Sequence, residues 1–232
     1  VWFRKNIEEL EPYQPGFQPK EPGFIKLNTN ENPYPPSPRV LEILRRIEGD
    51  LLRLYPEPAS DRFRETVGSV YGFEKKNIIA GNGSDELLAI ALRCFAGEGD
   101  RVVFPTPSYS LFDTLTRIQG AEPVPVELEE DFGLPPIFFS EQGAIKMLAS
   151  PNSPSGTVYP METIDRLADE SEGILLLDEA YVDFSDGNCL ELARKFSNLL
   201  ITRTLSKSYS LAGLRIVYAF AQEEIIEGML KV

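Results

Sequence analysis

Residues 198–215 read NLLITRTLSKSYSLAGLR, an apolar run followed by a small-residue turn that holds two cations, Lys207 and Arg215. Leu199, Leu200 and Ile201 suit a buried strand, and the serines and glycine that follow break it. Two readings of the lysine are open. Either it lies incidentally at the start of a helix, or it is a reactive amine held beside an anion. What the rest of the chain brings to the end of that strand decides between them.

Working outward, the strand-then-turn plan recurs. NIIAGNGSDELLAIALRCFA (77–96) reads as strand, glycine turn and helix, and DRVVFPTPSYSLFDTLTRIQG (100–120) repeats it. AIKMLASPNSPSG (144–156) is a strand closing in a tight loop before the helix PMETIDRLADES (160–171). GILLLDEAY (173–181) and LRIVYAFA (214–221) supply further strands. Alternating β and α units of this kind predict an α/β fold, a mostly parallel sheet with helices on both faces. Ligands in such sheets bind in the loops that follow the strands.

Upstream, the Pro-, Gly- and Asn-rich stretch through residue 38 reads as an extended arm, so residues 1–38 are set apart from a large domain spanning 39–232. PRVLEILRRIEGDLLRL (38–54) reads as one helix, with Val40, Ile43, Leu44 and Ile47 at helical spacing. The next helix starts at Ser60 or Asp61, either of which could cap it. At the other end, Ile225, Ile226, Met229 and Leu230 share a helix face that is expected to lie exposed without a further domain.

Composition removes several classes of function. The formal net charge is −13, which argues against a nucleic-acid or anionic-membrane surface and leaves any anion to a few local cations. The absence of histidine excludes Ser-His-Asp and Cys-His catalysis and histidine-ligated zinc. Cys94 and Cys189 form no CxxC, so no metal site is expected, and a reduced, cytoplasmic setting is. No apolar run is long enough to span a bilayer, and VWFRKNIEEL leads into no apolar segment of a signal peptide.

Four motifs can carry chemistry. GNGSDE (81–86) either presents backbone N–H groups to a phosphate or is a glycine turn with Ser84 as helix cap. Asp178 ends a very apolar strand, where a carboxylate needs a cation partner or caps a helix. Tyr109 either covers a flat cofactor or belongs to the core. SPNSPSG (150–156) is a rigid strand-end loop with Asn152 as its best hydrogen-bonding side chain, or an ordinary Pro/Gly turn. Taken together with Lys207 and Arg215, they describe a site for pyridoxal 5′-phosphate: phosphate cradle, ring cover, partner for the pyridine nitrogen, and amine for the aldehyde.

In these motifs, and in FRKNIEELEPYQPG, LNTNENPYPPSP, LYPEPAS, LDEAYVDF and TLSKSYSLAGLR, the chain resembles the class I/II, fold-type I aminotransferases, and within them the histidinol-phosphate branch. The resemblance implies that Lys207 bonds to the cofactor aldehyde, that Asp178 partners the ring nitrogen and that Tyr181 meets the phenolic oxygen. It implies that Tyr109 stacks on the ring, and that Gly83, Ser84, Asp85, Ser206 and Arg215 contact or frame the phosphate. Tyr55 would reach the phosphate in the other subunit of a homodimer, and Tyr13 and Asn30 would line the substrate side. The implied substrates are a small amino-group donor and a 2-oxo acid acceptor, here histidinol phosphate and 2-oxoglutarate. An aromatic-amino-acid aminotransferase or a threonine-phosphate decarboxylase is the neighbouring alternative. A non-catalytic cofactor-binding module and a cofactor-free α/β domain are the others.

Three departures from the family pattern stand out. Ser153 replaces the usual asparagine before proline, which leaves Asn152 as its stand-in, and Val217 replaces a glycine. The motifs also stop at GMLKV (228–232), where the family continues into a small C-terminal domain, so the chain is expected to be the arm and large domain of a longer protein.

Overall fold

The computed structural model describes residues 2–10 and 23–232. The N-terminal third carries α1 (Lys5–Glu8), α2 (Pro38–Arg45), α3 (Gly49–Leu52) and α4 (Asp61–Tyr71). Then follow β1 (Ile78–Asn82), α5 (Ser84–Phe95), β2 (Arg101–Thr106), α6 (Leu111–Gln119) and β3 (Glu122–Glu127). Next come α7 (Pro136–Ser140), β4 (Ile145–Ala149), α8 (Met161–Glu170) and β5 (Ile174–Asp178). The chain closes with α9 (Leu190–Lys195), β6 (Leu199–Thr204), β7 (Ile216–Phe220) and α10 (Glu223–Met229).

The strands form one seven-stranded sheet in the order β1-β7-β6-β5-β4-β2-β3. Only β7 runs antiparallel to its neighbours, β1 and β6; the other pairs are parallel. The α/β reading holds. Residues 205–215 therefore join two adjacent antiparallel strands, with a short 3-10 turn at Ala212–Leu214 where a helix was the alternative.

Side-chain alternation divides the core. Leu176, Leu200, Met147 and Ala219 face α5, α6 and α10, whereas Leu175, Leu177, Leu199 and Ile201 face α4, α7, α8 and α9. Because both faces are covered, the central strands read as unbroken apolar runs rather than as alternating ones. The sheet edge β3, EPVPVE, was not legible as a strand: Pro123 and Pro125 break the pattern, and an edge strand tolerates them because one side needs no ladder donors.

Three expectations change. The single helix over 38–54 is two short ones, α2 and α3, and neither buries a residue; with no tertiary support and Gly49 in the middle, local propensity does not sustain one helix. Ser60 precedes α4 with a left-handed φ of 53° and makes no side-chain cap. The apolar face of α10 is not exposed: Ile225, Ile226 and Met229 are buried in the core beside α5, and only Leu230 stays outside.

Val217 pairs with Gly81 of β1 and is fully buried in the core cluster that holds Leu87. Among the described residues, no helix is long and apolar enough to cross a membrane, and no acid, cysteine or histidine cluster could hold a metal.

Candidate active site

A cavity of about 570 Å³ opens at the C-terminal ends of β4, β5 and β6, represented in its wall by Ala149, Asp178 and Thr204. The first residues of α5, the Ser108–Ser110 turn and residues 28–31 of the arm complete it. Parallel strands expose their C-terminal ends together, so residues far apart in the chain converge there.

Asp178 is placed by alternation on the α5 side of the sheet, at the last position of β5. Register sets Thr202 of β6 beside it, and the Thr202 hydroxyl donates to Asp178 Oδ1 at 3.0 Å. The Ala180 N–H donates to the same oxygen at 3.1 Å, so among the described residues both hydrogen bonds leave Oδ2 to a donor in the cavity. Burial pushes the Asp178 carboxyl up to about 6, against the pull of those two bonds; Glu179 adds to the rise and the Lys207 charge opposes it.

The cation expected for that strand end is present but serves Glu179. Arg203, which faces the opposite side of the sheet, donates from Nε and Nη2 to Glu179 Oε2 at 2.8 and 2.7 Å. Glu179 Oε1 accepts the Cys189 N–H at 2.7 Å, tying the loop after β5 to α9. Burial raises the Glu179 carboxyl while the guanidinium works against that rise. Neither residue lines this cavity, and the sequence signalled the pair only as two charges in apolar runs.

Lys207 projects into the cavity from the β6–β7 loop. Its amine donates to the Thr29 carbonyl at 3.1 Å and lies 5.3 Å from the centre of the Tyr181 ring. Asn30 Nδ2 donates to the Tyr181 hydroxyl at 3.0 Å, from a left-handed backbone with φ of 52°. Asn32, which the sequence reading passed over, donates to the carbonyls of Lys207 and Ser208.

On the other wall Gly83 (φ 88°) precedes α5, and Arg215 lies flat against it: a Cβ at Gly83 would stand 2.0 Å from Arg215 Nη2. Gly83, not Ser84, is the helix-capping residue, and Ser84 opens the helix. Asp85 holds Arg215 at 3.8 Å and accepts the Tyr109 hydroxyl at 3.1 Å, so the acid orients both neighbours. Tyr109 packs edge-on against Phe112.

Thus Ser84, Asp85, Tyr109, Asp178, Tyr181, Ser206, Lys207, Arg215 and Asn30 share one cavity. Asn152 does not line it. Its amide is buried, accepting from Ser108 Oγ and donating to the Pro107 carbonyl and Ser155 Oγ, while Ser153 and Pro154 form the wall. Tyr55 is fully exposed and outside the cavity. Tyr13 lies outside the described residues.

The family described as aminotransferase class I and II matches residues 22–232. A histidinol-phosphate aminotransferase of Syntrophotalea carbinolica is 47% identical over 231 residues, which cover 99% of this chain and 67% of that protein. Histidinol-phosphate aminotransferase 1 of Trichormus variabilis is 44% identical over 233 residues, covering 100% and 67%. The crystal structure of histidinol-phosphate aminotransferase from Sinorhizobium meliloti in complex with pyridoxal-5′-phosphate superposes with a TM-score of 0.81 at 28% identity, over 88% of this chain and 58% of that one. The chain thus spans about two thirds of its sequence relatives and less of the solved structure.

Proposed function

Because this chain belongs to the class I and II aminotransferases, we propose that it carries the cofactor site of an enzyme that moves the amino group of histidinol phosphate to 2-oxoglutarate, in histidine biosynthesis. The observation that carries the reading is the meeting of Lys207, Asp178 and Arg215 in one cavity. The donor set fits pyridoxal 5′-phosphate: a guanidinium laid on a side-chain-free glycine at a helix start, a buried carboxyl with an oxygen to spare, and an amine in the same cavity.

Bound there, pyridoxal phosphate supplies an aldehyde that bonds amines and a protonated ring that draws off an electron pair. Arg215, Ser206 and the start of α5 hold the phosphate dianion. Asp178 would partner the protonated ring nitrogen, and a positive charge there would oppose the upward push of burial on its carboxyl. Tyr109 fixes the ring plane, worth about 0.5–1.5 kcal/mol beyond its buried area. Tyr181 donates its hydroxyl proton toward the phenolic oxygen. Lys207 Nζ serves first as the attachment point. Freed from that attachment, the Lys207 amine would carry the proton between the substrate carbon and the cofactor's aldehyde carbon, a role worth roughly 10²–10⁴-fold. No histidine competes for that task.

Asn30 and Tyr13 are assigned to the substrate side, and Tyr55 to the phosphate site of a second subunit in a homodimer. The full exposure of Tyr55 supports that assignment. We assign residues 1–38 to the arm and 39–232 to the large domain. Two free cysteines accord with a cytoplasmic setting. Asn152 is withdrawn as a cofactor contact and kept as the brace of its loop.

The test is a half-reaction screen on the full-length protein, with histidinol phosphate, glutamate, phenylalanine and threonine phosphate, following the visible band of the cofactor. Histidinol phosphate and glutamate are expected to bleach it. A higher specificity constant for phenylalanine, or carbon dioxide released from threonine phosphate, overturns the assignment.

A further inference from the structure

Resting on that cofactor reading, we propose that Asn32 is a positioning residue. It pins the arm to the lysine turn, so that the Thr29 carbonyl is the resting acceptor for the Lys207 amine whenever that amine is not bonded to the cofactor.

The geometry is a double clamp. Asn32 Nδ2 donates to the Lys207 and Ser208 carbonyls, both at 3.2 Å, across a separation of 175 and 176 residues. Asn32 Oδ1 accepts the Tyr34 N–H at 3.0 Å, which fixes the amide with its donors toward the lysine. Pro33 follows, and a residue before proline is restricted to extended backbone, so the side chain starts from a defined direction. From that anchor the chain turns back through Asn30, whose left-handed backbone is one that asparagine tolerates better than most residues. The turn sets the Thr29 carbonyl at 3.1 Å from Lys207 Nζ and the Asn30 amide at 3.0 Å from the Tyr181 hydroxyl. Other restraints on the turn come from its own side of the fold, among them the Ser210 N–H donating to the Lys207 carbonyl at 3.2 Å, Ser208 Oγ donating to Asp183, and Thr204 Oγ1 donating to Ser206 Oγ at 2.9 Å. Asn32 therefore links the arm to the backbone that carries the amine.

A proton shuttle on a four-carbon stem carries about 2 kcal/mol of rotamer entropy and has many places to go when released. A backbone carbonyl can accept an N–H from either protonation state of an amine, so it gives the freed amine one station without trapping its proton. Misplacement by about 1 Å can cost on the order of 10²-fold in rate. An arm that merely packs would affect folding and affinity. An arm that stations the amine affects turnover and the accessibility of Lys207.

The experiment uses the full-length protein with Asn32→Ala and Asn32→Asp; the second keeps the shape and the Tyr34 acceptor but loses both donors. Three measurements decide it: borohydride-fixed pyridoxyl label at Lys207, kcat and KM of the amine half-reaction, and acetylation of Lys207 by acetic anhydride in cofactor-free protein, read against Lys195. In both variants the label should stay on Lys207. The expected kcat is about tenfold to a hundredfold lower with KM within roughly threefold, and Lys207 acetylates faster than in the wild type. A labelled wild type whose variants match it in kcat and acetylation overturns this inference alone. So does a variant whose only changes are in KM or thermal stability, or a pair that does not fold. A wild type with no label at Lys207 overturns the cofactor reading and this inference with it.

Discussion

Thr202 and Asp178 stand in register across β5 and β6, and the threonine hydroxyl donates to Asp178 Oδ1 at 3.0 Å. The aspartate is thereby held by one oxygen, at the floor of the cavity, with the other turned to whatever the cavity holds. A hydrogen bond to a charged group contributes about 1.5–3 kcal/mol. Thr202→Val should therefore lower stability by about that much at pH 7.5, and by less at pH 5, where the carboxyl is protonated. Urea unfolding at the two pH values checks this; equal losses at both would show that the hydroxyl does not act through the ionised carboxylate.

The Asp178 carboxyl itself gives a pH signature. Its folded pKa is raised from 3.8 to about 6, so the folded state binds the proton more tightly, and stability falls as pH rises from about 4 to about 6. The full effect is about 3 kcal/mol, roughly half of which falls between pH 5 and 7.5. In cofactor-free protein Asp178→Asn should remove this slope. With the cofactor, the same variant is expected to bind it yet lose most turnover, because an amide cannot hold a ring proton by charge. Near-normal turnover would contradict the role given to Asp178.

Lys207→Ala should abolish covalent attachment of the cofactor. Peptide mapping after borohydride reduction should place the wild-type label on Lys207. A label on Lys146 or Lys195 would falsify the assignment. Lys146 is buried on the other side of the sheet with its amine on the Phe139 carbonyl.

Gly83→Ala places a Cβ at 2.0 Å from Arg215 Nη2 on a backbone with φ of 88°. The guanidinium must move, and it is the cation proposed above for the phosphate. Cofactor affinity should fall at least about tenfold, equivalent to ~1.4 kcal/mol, while pyridoxal lacking the phosphate should lose much less. Titration with both compounds separates the two; equal losses would place the phosphate elsewhere.

Arg203→Ala leaves the Glu179 carboxylate buried without its guanidinium and should cost about 3–5 kcal/mol. Thermal unfolding measures it. A double variant that also carries Glu179→Ala should recover part of the loss, since the uncompensated charge is then gone.

Much of this architecture was legible one residue at a time. The runs IKMLA, ILLLD and LLITRT announce buried parallel strands, because strands covered on both faces need no alternation. Lys207, Asp178 and Arg215 were singled out as chemical groups after apolar strands and Tyr181 through the family resemblance, and the fold brings all four to one cavity. EPVPVE was missed because its prolines suit only an edge, and whether a strand is an edge is not a local property. Asn152 stood out as the best hydrogen-bonding side chain of its loop, and only the structure shows its amide engaged by Pro107 and Ser155 inside that loop.

What the sequence determined by itself is what propensity, apolar patterning and reactive side chains encode locally: an α/β chain, strands ending in polar turns, and a lysine and arginine flanking one such turn. What only the tertiary structure decided is which groups share charge and hydrogen bonds. Nothing in LLLDEAY and NLLITRT shows that Arg203 serves Glu179 while Thr202 serves Asp178, because strand register and the two-residue alternation assign neighbouring side chains to opposite faces. Nothing local in LNTNENP shows that Thr29 and Asn32 reach Lys207, because that contact spans more than 170 residues and exists only once the arm lies across the strand ends.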